Sequence, residues 1–162
     1  MVVIIITGTP GTGKTELAKF IEKEMGFKRI DVKNIIDLNN ICTEHDEARQ
    51  CMIVDVDELN KILIKIIKES KENIVIESHL SHHLPPKYVD LCIVTKCNLQ
   101  ILKKRLEARG YPESKVRENL DAEIFDNCLM EADEYGHKLL IVDTSHEIDV
   151  EEVMGEIKEA VK

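Results

Sequence analysis

The sequence is short of basic residues and contains no long apolar run. Its 162 residues include 22 lysines and arginines against 31 aspartates and glutamates, so the formal net charge is −9. An acidic chain repels the phosphate backbone, so direct non-specific binding to nucleic acid is not expected, whereas a basic protein partner would be attracted. No apolar run approaches the length of a membrane span, and the first residues lack the basic start and cleavage site of a signal peptide, so neither is expected.

The cysteines are odd in number, and no two of them form a C-x-x-C pair. They are Cys42, Cys51, Cys92, Cys97 and Cys128. This usage favours reduced thiols and predicts a cytoplasmic protein. Internal repeats and low-complexity linkers are missing as well. We therefore expect residues 1–162 to form one domain with a core of its own.

The clearest functional motif lies in the opening stretch, MVVIIITGTPGTGKT. Val2 to Ile6 is β-branched throughout, which is typical of a strand buried on both faces of a parallel sheet. Gly8–Thr15 then fits G-x-x-x-x-G-K-[ST], and the following apolar residues recur at helical spacing. This order predicts a phosphate-binding loop in which Lys14 reaches the β- and γ-phosphates and the Thr15 hydroxyl binds Mg²⁺. An ordinary turn is the alternative.

Strand and helix patterns alternate along the rest of the chain. Strands are expected at 2–6, 27–32, 73–77, 91–95 and 138–142, with helices after the loop and near 56–70, 99–110, 112–135 and 150–161. Residues 33–54 are polar and acidic, and we interpret them as a short helix and a loop. The alternation predicts an α/β fold with a five-stranded parallel sheet and helices on both faces.

Polar residues follow the third predicted strand, at the sheet edge where such folds place their chemistry. Glu77 ends this strand and would give Mg²⁺ a second anchor, with a solvent-facing acid as the alternative. His79, His82 and His83 form an H-x-x-H-H pattern. Because no cysteine or carboxylate completes a zinc set locally, we favour His79 as a polar contact to a phosphate or a bound water.

A second informative stretch contains two arginines four residues apart. Arg105 and Arg109 would leave one face of a helix, and their planar guanidinium groups suit the oxygens of a transferring phosphoryl group. A short basic segment here would act as a lid that closes over ATP and excludes water. The alternative is a pair of surface salt bridges, with Glu107 and Glu113.

Together these motifs resemble the adenylate kinase isoenzyme 6 family. The resemblance rests on the phosphate loop, on the strand-end acid followed by Ser-His, and on RLEARGY followed by ENLDAEIF, and it spans Val3 to about Glu134. It implies a three-layer P-loop nucleoside monophosphate kinase fold, with an AMP-binding segment at about 31–54 and a lid at about 108–118. Carried over by position, the ATP-binding residues are Gly11, Gly13, Lys14, Thr15, Glu16 and Arg109. Glu77 and His79 take the place of the family's Walker B-like D-x-H.

Two departures from the family pattern concern the metal and the acceptor. Glu77 stands where eukaryotic members tend to carry aspartate, and its extra methylene would shift the metal. The helix on the AMP side lacks the arginine that adenylate kinases usually place there. Arg29, Lys33 or Arg49 are the candidates for the missing cation.

Two functions of different class follow from the resemblance. The first is an adenylate kinase that converts MgATP and AMP to two ADP, with Lys14, Arg105, Arg109, Glu77 and His79 as its catalytic residues. The second is an ATP-hydrolysing factor in small ribosomal subunit maturation that binds a basic small-subunit ribosomal protein. A kinase for another small metabolite is a third reading, because the same core would allow it.

Overall fold

A computed structural model of the chain describes residues 1–46 and 51–162. The strands are β1 (Val3–Thr7), β2 (Lys28–Asp31), β3 (Cys42–Asp46), β4 (Cys51–Val54), β5 (Ile74–Glu77), β6 (Leu91–Lys96) and β7 (Leu139–Asp143). The helices are α1 (Lys14–Met25), α2 (Val32–Asn39), α3 (Val56–Glu69), α4 (Leu99–Ala108), α5 (Glu113–Ile124), α6 (Asn127–Glu134) and α7 (Val150–Ala160). Two single-turn 3₁₀ helices, Ser81–His83 and Pro86–Tyr88, lie between β5 and β6.

The main sheet has five parallel strands in the order β2-β5-β1-β6-β7. Every residue of the central strand β1 is buried. Val3 and Ile5 pack in one core cluster with side chains of α3, whereas Ile4 and Ile6 pack in a second cluster with side chains of α1 and α7. Helices on both faces therefore explain the unbroken apolar sequence of this strand. The predicted three-layer α/β fold is confirmed.

Helix starts follow the capping residues of the sequence. Asp31, Asp55 and Asp149 each precede a helix and accept a hydrogen bond from a backbone N–H of its first turn. Asn98 does the same for α4. Each such cap stabilises its helix by about 1 kcal/mol. Among the described residues, no helix combines the length and apolar character needed to cross a bilayer.

Two predicted elements differ from the structure. The expected loop after α2 contains an antiparallel hairpin, in which β3 pairs with β4. The single helix expected over 112–135 is two helices, α5 and α6, separated at Phe125 and Asp126. Asp126 adopts a left-handed backbone with φ of 52°, which ends the hydrogen-bonding of one helix and starts the next. No glycine or proline marks this break.

Candidate functional site

A cleft of about 1040 Å³ opens at the sheet edge where β2 and β5 end and the loop after β1 begins. This edge is where parallel α/β sheets bind ligands, because the carboxyl ends of the strands meet there. Other parts of its wall come from the β2–α2 junction and from the segment after α4. The predicted site residues among its lining are Gly11, Gly13, Lys14, Thr15, Glu16, Glu77, His79 and Arg109.

The glycine-rich loop turns sharply into α1. Gly13 caps the helix with φ of 81°, a left-handed conformation that side chains rarely adopt. Gly11 has φ of 89°, and a Cβ there would lie 3.0 Å from Leu102 and 3.1 Å from Leu106 of α4. The loop is thus closely packed behind the cleft, and its shape requires glycine at these two positions.

Buried threonines hold the loop in place, and sequence reasoning did not identify them. Thr12 donates to the carbonyl of Thr9 at 2.6 Å and shares a 2.7 Å hydrogen bond with Thr95 at the end of β6. Thr144, which follows β7, donates to the carbonyl of Thr12 at 2.6 Å. Their positions could have identified two of them in the sequence. Thr95 lies near the carboxyl end of β6, which is next to β1, and Thr144 follows β7, which is next to β6.

Lys14 is directed back onto its own loop. Its Nζ donates to the carbonyls of Gly8 at 2.9 Å and Thr9 at 3.1 Å. Burial lowers the pKa of Lys14 to about 8 from an ordinary value of 10.5, and the nearby Cys128 and Glu77 partly oppose the shift. The two carbonyls accept hydrogen bonds from the Lys14 ammonium group, and the oxygens of a phosphate in the loop could accept those hydrogen bonds instead.

Thr15 and Glu77 meet on the floor of the cleft. The Thr15 hydroxyl donates to the Glu77 carboxylate at 3.0 Å. Arg29 of β2 lies beside them, with its Nη1 3.9 Å from the same carboxylate oxygen and its Nε 3.3 Å from Glu22. A hydroxyl and a carboxylate so close together are oxygen ligands of the kind Mg²⁺ prefers. The two residues therefore fit a magnesium ion.

The three histidines of the H-x-x-H-H pattern separate in space. His79 is exposed on the cleft wall, yet protein atoms around the cleft desolvate its ring, and with the charge of Lys14 they lower its pKa to about 4. His82 is buried and, like His83, lies near Glu131 of α6. A carboxylate from a distant part of the chain thus lies beside these two rings, a contact that the local sequence could not indicate.

The two arginines after β6 have different surroundings. Arg109 lines the cleft, exposed, with its guanidinium 5.9 Å from the ring centroid of Tyr111. Arg105 is half-buried and donates to the carbonyls of Gly11 at 3.4 Å and Thr144 at 2.5 Å. Arg105 thus contacts the back of the phosphate loop, whereas Arg109 faces the space where a ligand would bind. The segment 108–118 is the turn between α4 and α5 with the first part of α5.

The predicted acceptor segment is only partly described. Arg29, Asp31 and Lys33 line the cleft at the β2–α2 junction, and Val54 at the end of β4 contributes an apolar contact. Arg49, the third candidate for the cation on this side, lies outside the described residues.

Comparison with known proteins places the chain among kinases. The family model described as an AAA domain matches residues 4–126. A Methanocaldococcus jannaschii protein named "Putative adenylate kinase" is 41% identical over 159 residues, which cover 98% of this chain and 85% of that protein. A Caenorhabditis elegans protein named "Adenylate kinase isoenzyme 6 homolog" is 34% identical over 131 residues, covering 81% of this chain and 72% of that protein.

Similarity to solved structures concerns the fold. The crystal structure of shikimate kinase from Bacteroides thetaiotaomicron superimposes with a TM-score of 0.66 at 16% sequence identity, covering 98% of this chain and 96% of that one. At this identity the shared feature is the P-loop kinase architecture, and the acceptor substrate does not follow from it.

Proposed function

We propose that this chain is a nucleotide kinase that transfers the terminal phosphoryl group of MgATP to AMP and yields two ADP. The chain belongs to the adenylate kinase isoenzyme 6 family. The charge of the cleft is the observation that carries this proposal. Its basic lining residues are Lys14, Lys19, Arg29, Lys33 and Arg109, and its acidic ones are Glu16, Asp31 and Glu77. A net positive cleft in a chain of net charge −9 would attract nucleotide phosphates.

ATP would bind through the phosphate loop. The backbone N–H groups of the loop and the start of α1 surround its phosphates, and Lys14 leaves the loop carbonyls to contact the β- and γ-phosphates. Thr15 and Glu77 would hold Mg²⁺, because the Glu77 carboxylate lies 3.0 Å from the Thr15 hydroxyl. The ion would neutralise charge on the phosphate oxygens.

Phosphoryl transfer then depends on position and charge. The acceptor phosphate is already an anion, so no strong general base is needed. Arg109, which faces the cleft, would stabilise the charge on the transferring group and close the lid against water. Arg105 would act as a positioning residue, because it holds the carbonyls of Gly11 and Thr144. His79, with its lowered pKa, stays neutral at pH 7 and would donate a hydrogen bond without adding charge.

Arg29 is the cation that we assign to the acceptor phosphate. In the sheet, β2 lies on one side of β1, and β6, which leads into α4 and Arg109, lies on the other. Arg29 and Arg109 therefore approach the phosphate loop from opposite sides, as a donor and an acceptor nucleotide require. Glu22 holds Arg29 at 3.3 Å and leaves the rest of its guanidinium directed along the cleft floor toward Glu77.

The test compares Arg29→Ala with Lys28→Ala, a matched loss of positive charge on the same strand. Lys28 lies near Glu72 and is not part of the cleft. Arg29→Ala should raise KM for AMP about 10-fold to 100-fold, the loss expected for charge-assisted hydrogen bonds, while KM for ATP changes less than about two-fold. Equal effects of the two variants, or a parallel rise in both KM values, would contradict the acceptor role of Arg29.

Ribosome maturation is a second candidate function. The family resemblance and the net charge of −9 support a basic small-subunit ribosomal protein as partner, with ATP hydrolysis controlling its binding. Cys92, Cys97 and Cys128 are thiols, which fits the reducing cytoplasm where such assembly would occur. A pull-down with the basic small-subunit proteins should show retention that depends on the bound nucleotide. No retention with ATP, with ADP or without nucleotide would leave the kinase as the function.

A further inference from the structure

A group of nitrogen and oxygen ligands lies outside the nucleotide cleft. His82 and His83 belong to the first 3₁₀ helix, and Glu131 belongs to α6. The Nε2 atoms of His82 and His83 lie 2.7 Å and 3.9 Å from the same carboxylate oxygen of Glu131. The ligand atoms of the three residues all lie within 4.8 Å of one another.

The Nδ1 atom of each histidine ring is hydrogen-bonded to a hydroxyl group. Nδ1 of His82 lies 2.6 Å from the hydroxyl of Thr7, and Nδ1 of His83 lies 3.0 Å from the hydroxyl of Tyr135. Both rings are thereby oriented with Nε2 toward Glu131. Nε2 of His82 donates to the Glu131 carboxylate, so metal binding would displace this proton and Nδ1–H would then donate to the Thr7 hydroxyl, as is typical of metal-bound histidines.

We propose that His82, His83 and Glu131 form a zinc-binding site, with each histidine binding through Nε2 and the fourth position open to water. In a tetrahedral zinc site with bonds of about 2.0–2.2 Å, neighbouring ligand atoms are about 3.3 Å apart. The observed separations of 2.7 Å and 3.9 Å fall on either side of that value. The two nitrogen–oxygen separations would each have to change by about 0.6 Å to admit the ion.

The exposure of the three side chains is consistent with metal entry. The His82 side chain is 2% exposed, whereas those of His83 and Glu131 are 24% and 47% exposed, so one side of the group opens to solvent. A neutral imidazole is the form that binds metal. Two imidazoles and one carboxylate favour zinc over magnesium, which prefers oxygen ligands alone.

A bound ion would link the 3₁₀ helix to α6 beneath the end of β1. The hydroxyl of Ser81 already donates to the carbonyl of Ile6 at 2.8 Å, and Thr7, which contacts His82, directly precedes the phosphate loop. Zinc is therefore expected to stabilise the fold at the base of the nucleotide site. This inference rests on the geometry of the three residues and is independent of the acceptor assigned to the kinase.

The experiment measures zinc binding to the full chain after treatment with chelator. Equilibrium dialysis with metal analysis should give one tightly bound zinc per chain, and a hundred-fold excess of free zinc over Kd should raise the melting temperature by about 5–10 °C. Cobalt, used as a spectroscopic probe, should give visible absorption without the charge-transfer bands of a thiolate ligand. Glu131→Gln and His83→Ala should each lose the site.

Two substitutions serve as matched controls. Glu134→Gln changes an exposed carboxylate on the same helix, and His146→Ala removes an exposed histidine far along the chain, so both should bind zinc as the wild type does. Glu131→Gln keeps a side chain able to hydrogen-bond His82, and its fold can be checked by circular dichroism. Equal zinc binding by wild type and Glu131→Gln, thiolate bands in the cobalt spectrum, or no zinc bound by the wild type would each overturn the proposal.

Discussion

ATP is expected to bind less tightly as the pH rises from 7 to 9, because the free protein loses the charge of Lys14. Burial lowers the pKa of this residue to about 8 from 10.5. Cys128, Glu77 and Glu123 oppose the shift, and the positive charge of Arg109 adds to it. The folded protein therefore releases this proton at a lower pH than an exposed lysine would.

The magnitude follows from the charged fraction. If only the ammonium form binds phosphate, a pKa of about 8 makes that fraction roughly nine tenths at pH 7 and roughly one tenth at pH 9. The apparent Kd should then rise about ten-fold. ATP contributes little to the change, because a phosphate monoester loses its second proton near pH ~6. Bound phosphate restores the ammonium form, so binding at pH 9 should take up about 0.9 proton per nucleotide.

Isothermal titration calorimetry can measure both quantities. MgATP is titrated into the protein at pH 7, 8 and 9, in two buffers whose ionisation enthalpies differ. The Kd values give the loss of affinity, and the difference in apparent enthalpy between buffers gives the proton uptake. The Cys128→Ala variant shows whether the thiol itself titrates: the transition should persist, with a midpoint no higher than that of the wild type, because Cys128 opposes the lowering of the Lys14 pKa.

A second variant checks that the transition belongs to Lys14. Removing the positive charge of Arg109 should move the midpoint upward, because that charge helps to lower the pKa of Lys14. A Kd that stays constant from pH 7 to 9 without proton uptake would refute the reasoning. It would mean that Lys14 either keeps its charge throughout or does not contact the phosphates.

Three further substitutions test the lid and the loop. Arg109→Ala should slow phosphoryl transfer about 100-fold to 1000-fold with little change in melting temperature, because the residue is exposed; an unchanged rate would make it an ordinary surface residue. Thr144→Val should lower the free energy of unfolding in urea by about 1–3 kcal/mol, since the Thr12 carbonyl loses its hydrogen bond; unaltered unfolding would deny that bond a role. Gly11→Ala, with φ of 89° and a Cβ 3.1 Å from Leu106, should reduce thermal stability and ATP binding together; retention of both would show that the loop tolerates the side chain.

The sequence predicted correctly those elements whose conformation follows from neighbouring residues or from a regular spacing of apolar residues. The apolar residues of β1 and the glycines of the phosphate loop each favour the conformation that their segment adopts. The buried face of α3 follows from the helical spacing of Leu59, Leu63 and Ile67. The pairing of β3 (CTEHD) with β4 (CMIV) was missed because the intervening sequence EARQ contains none of the residues that usually indicate a turn. The break at Asp126 was missed as well. Aspartate can adopt the left-handed backbone, but it also occurs within helices, so its presence does not indicate where a helix ends.

Site features that depend on distant contacts could not be predicted. Arg105 and Arg109 lie four residues apart, yet Arg105, within α4, contacts the carbonyls of Gly11 and Thr144, whereas Arg109, just after α4, lines the cleft. Glu131 approaches His82 across 49 residues of sequence. Such contacts are fixed by the packing of helices on the sheet, so residue spacing alone does not reveal them.

The measurement that tests the central claim most directly is ADP production from MgATP with and without AMP, with Lys14→Met as the blank. The account predicts that AMP raises ADP output many-fold and is itself consumed, two ADP forming for each AMP lost, and that the folded Lys14→Met variant is inactive. ADP produced at the same slow rate whether or not AMP is present would contradict it. The cleft would then be transferring phosphate to water, and the chain would be an ATPase.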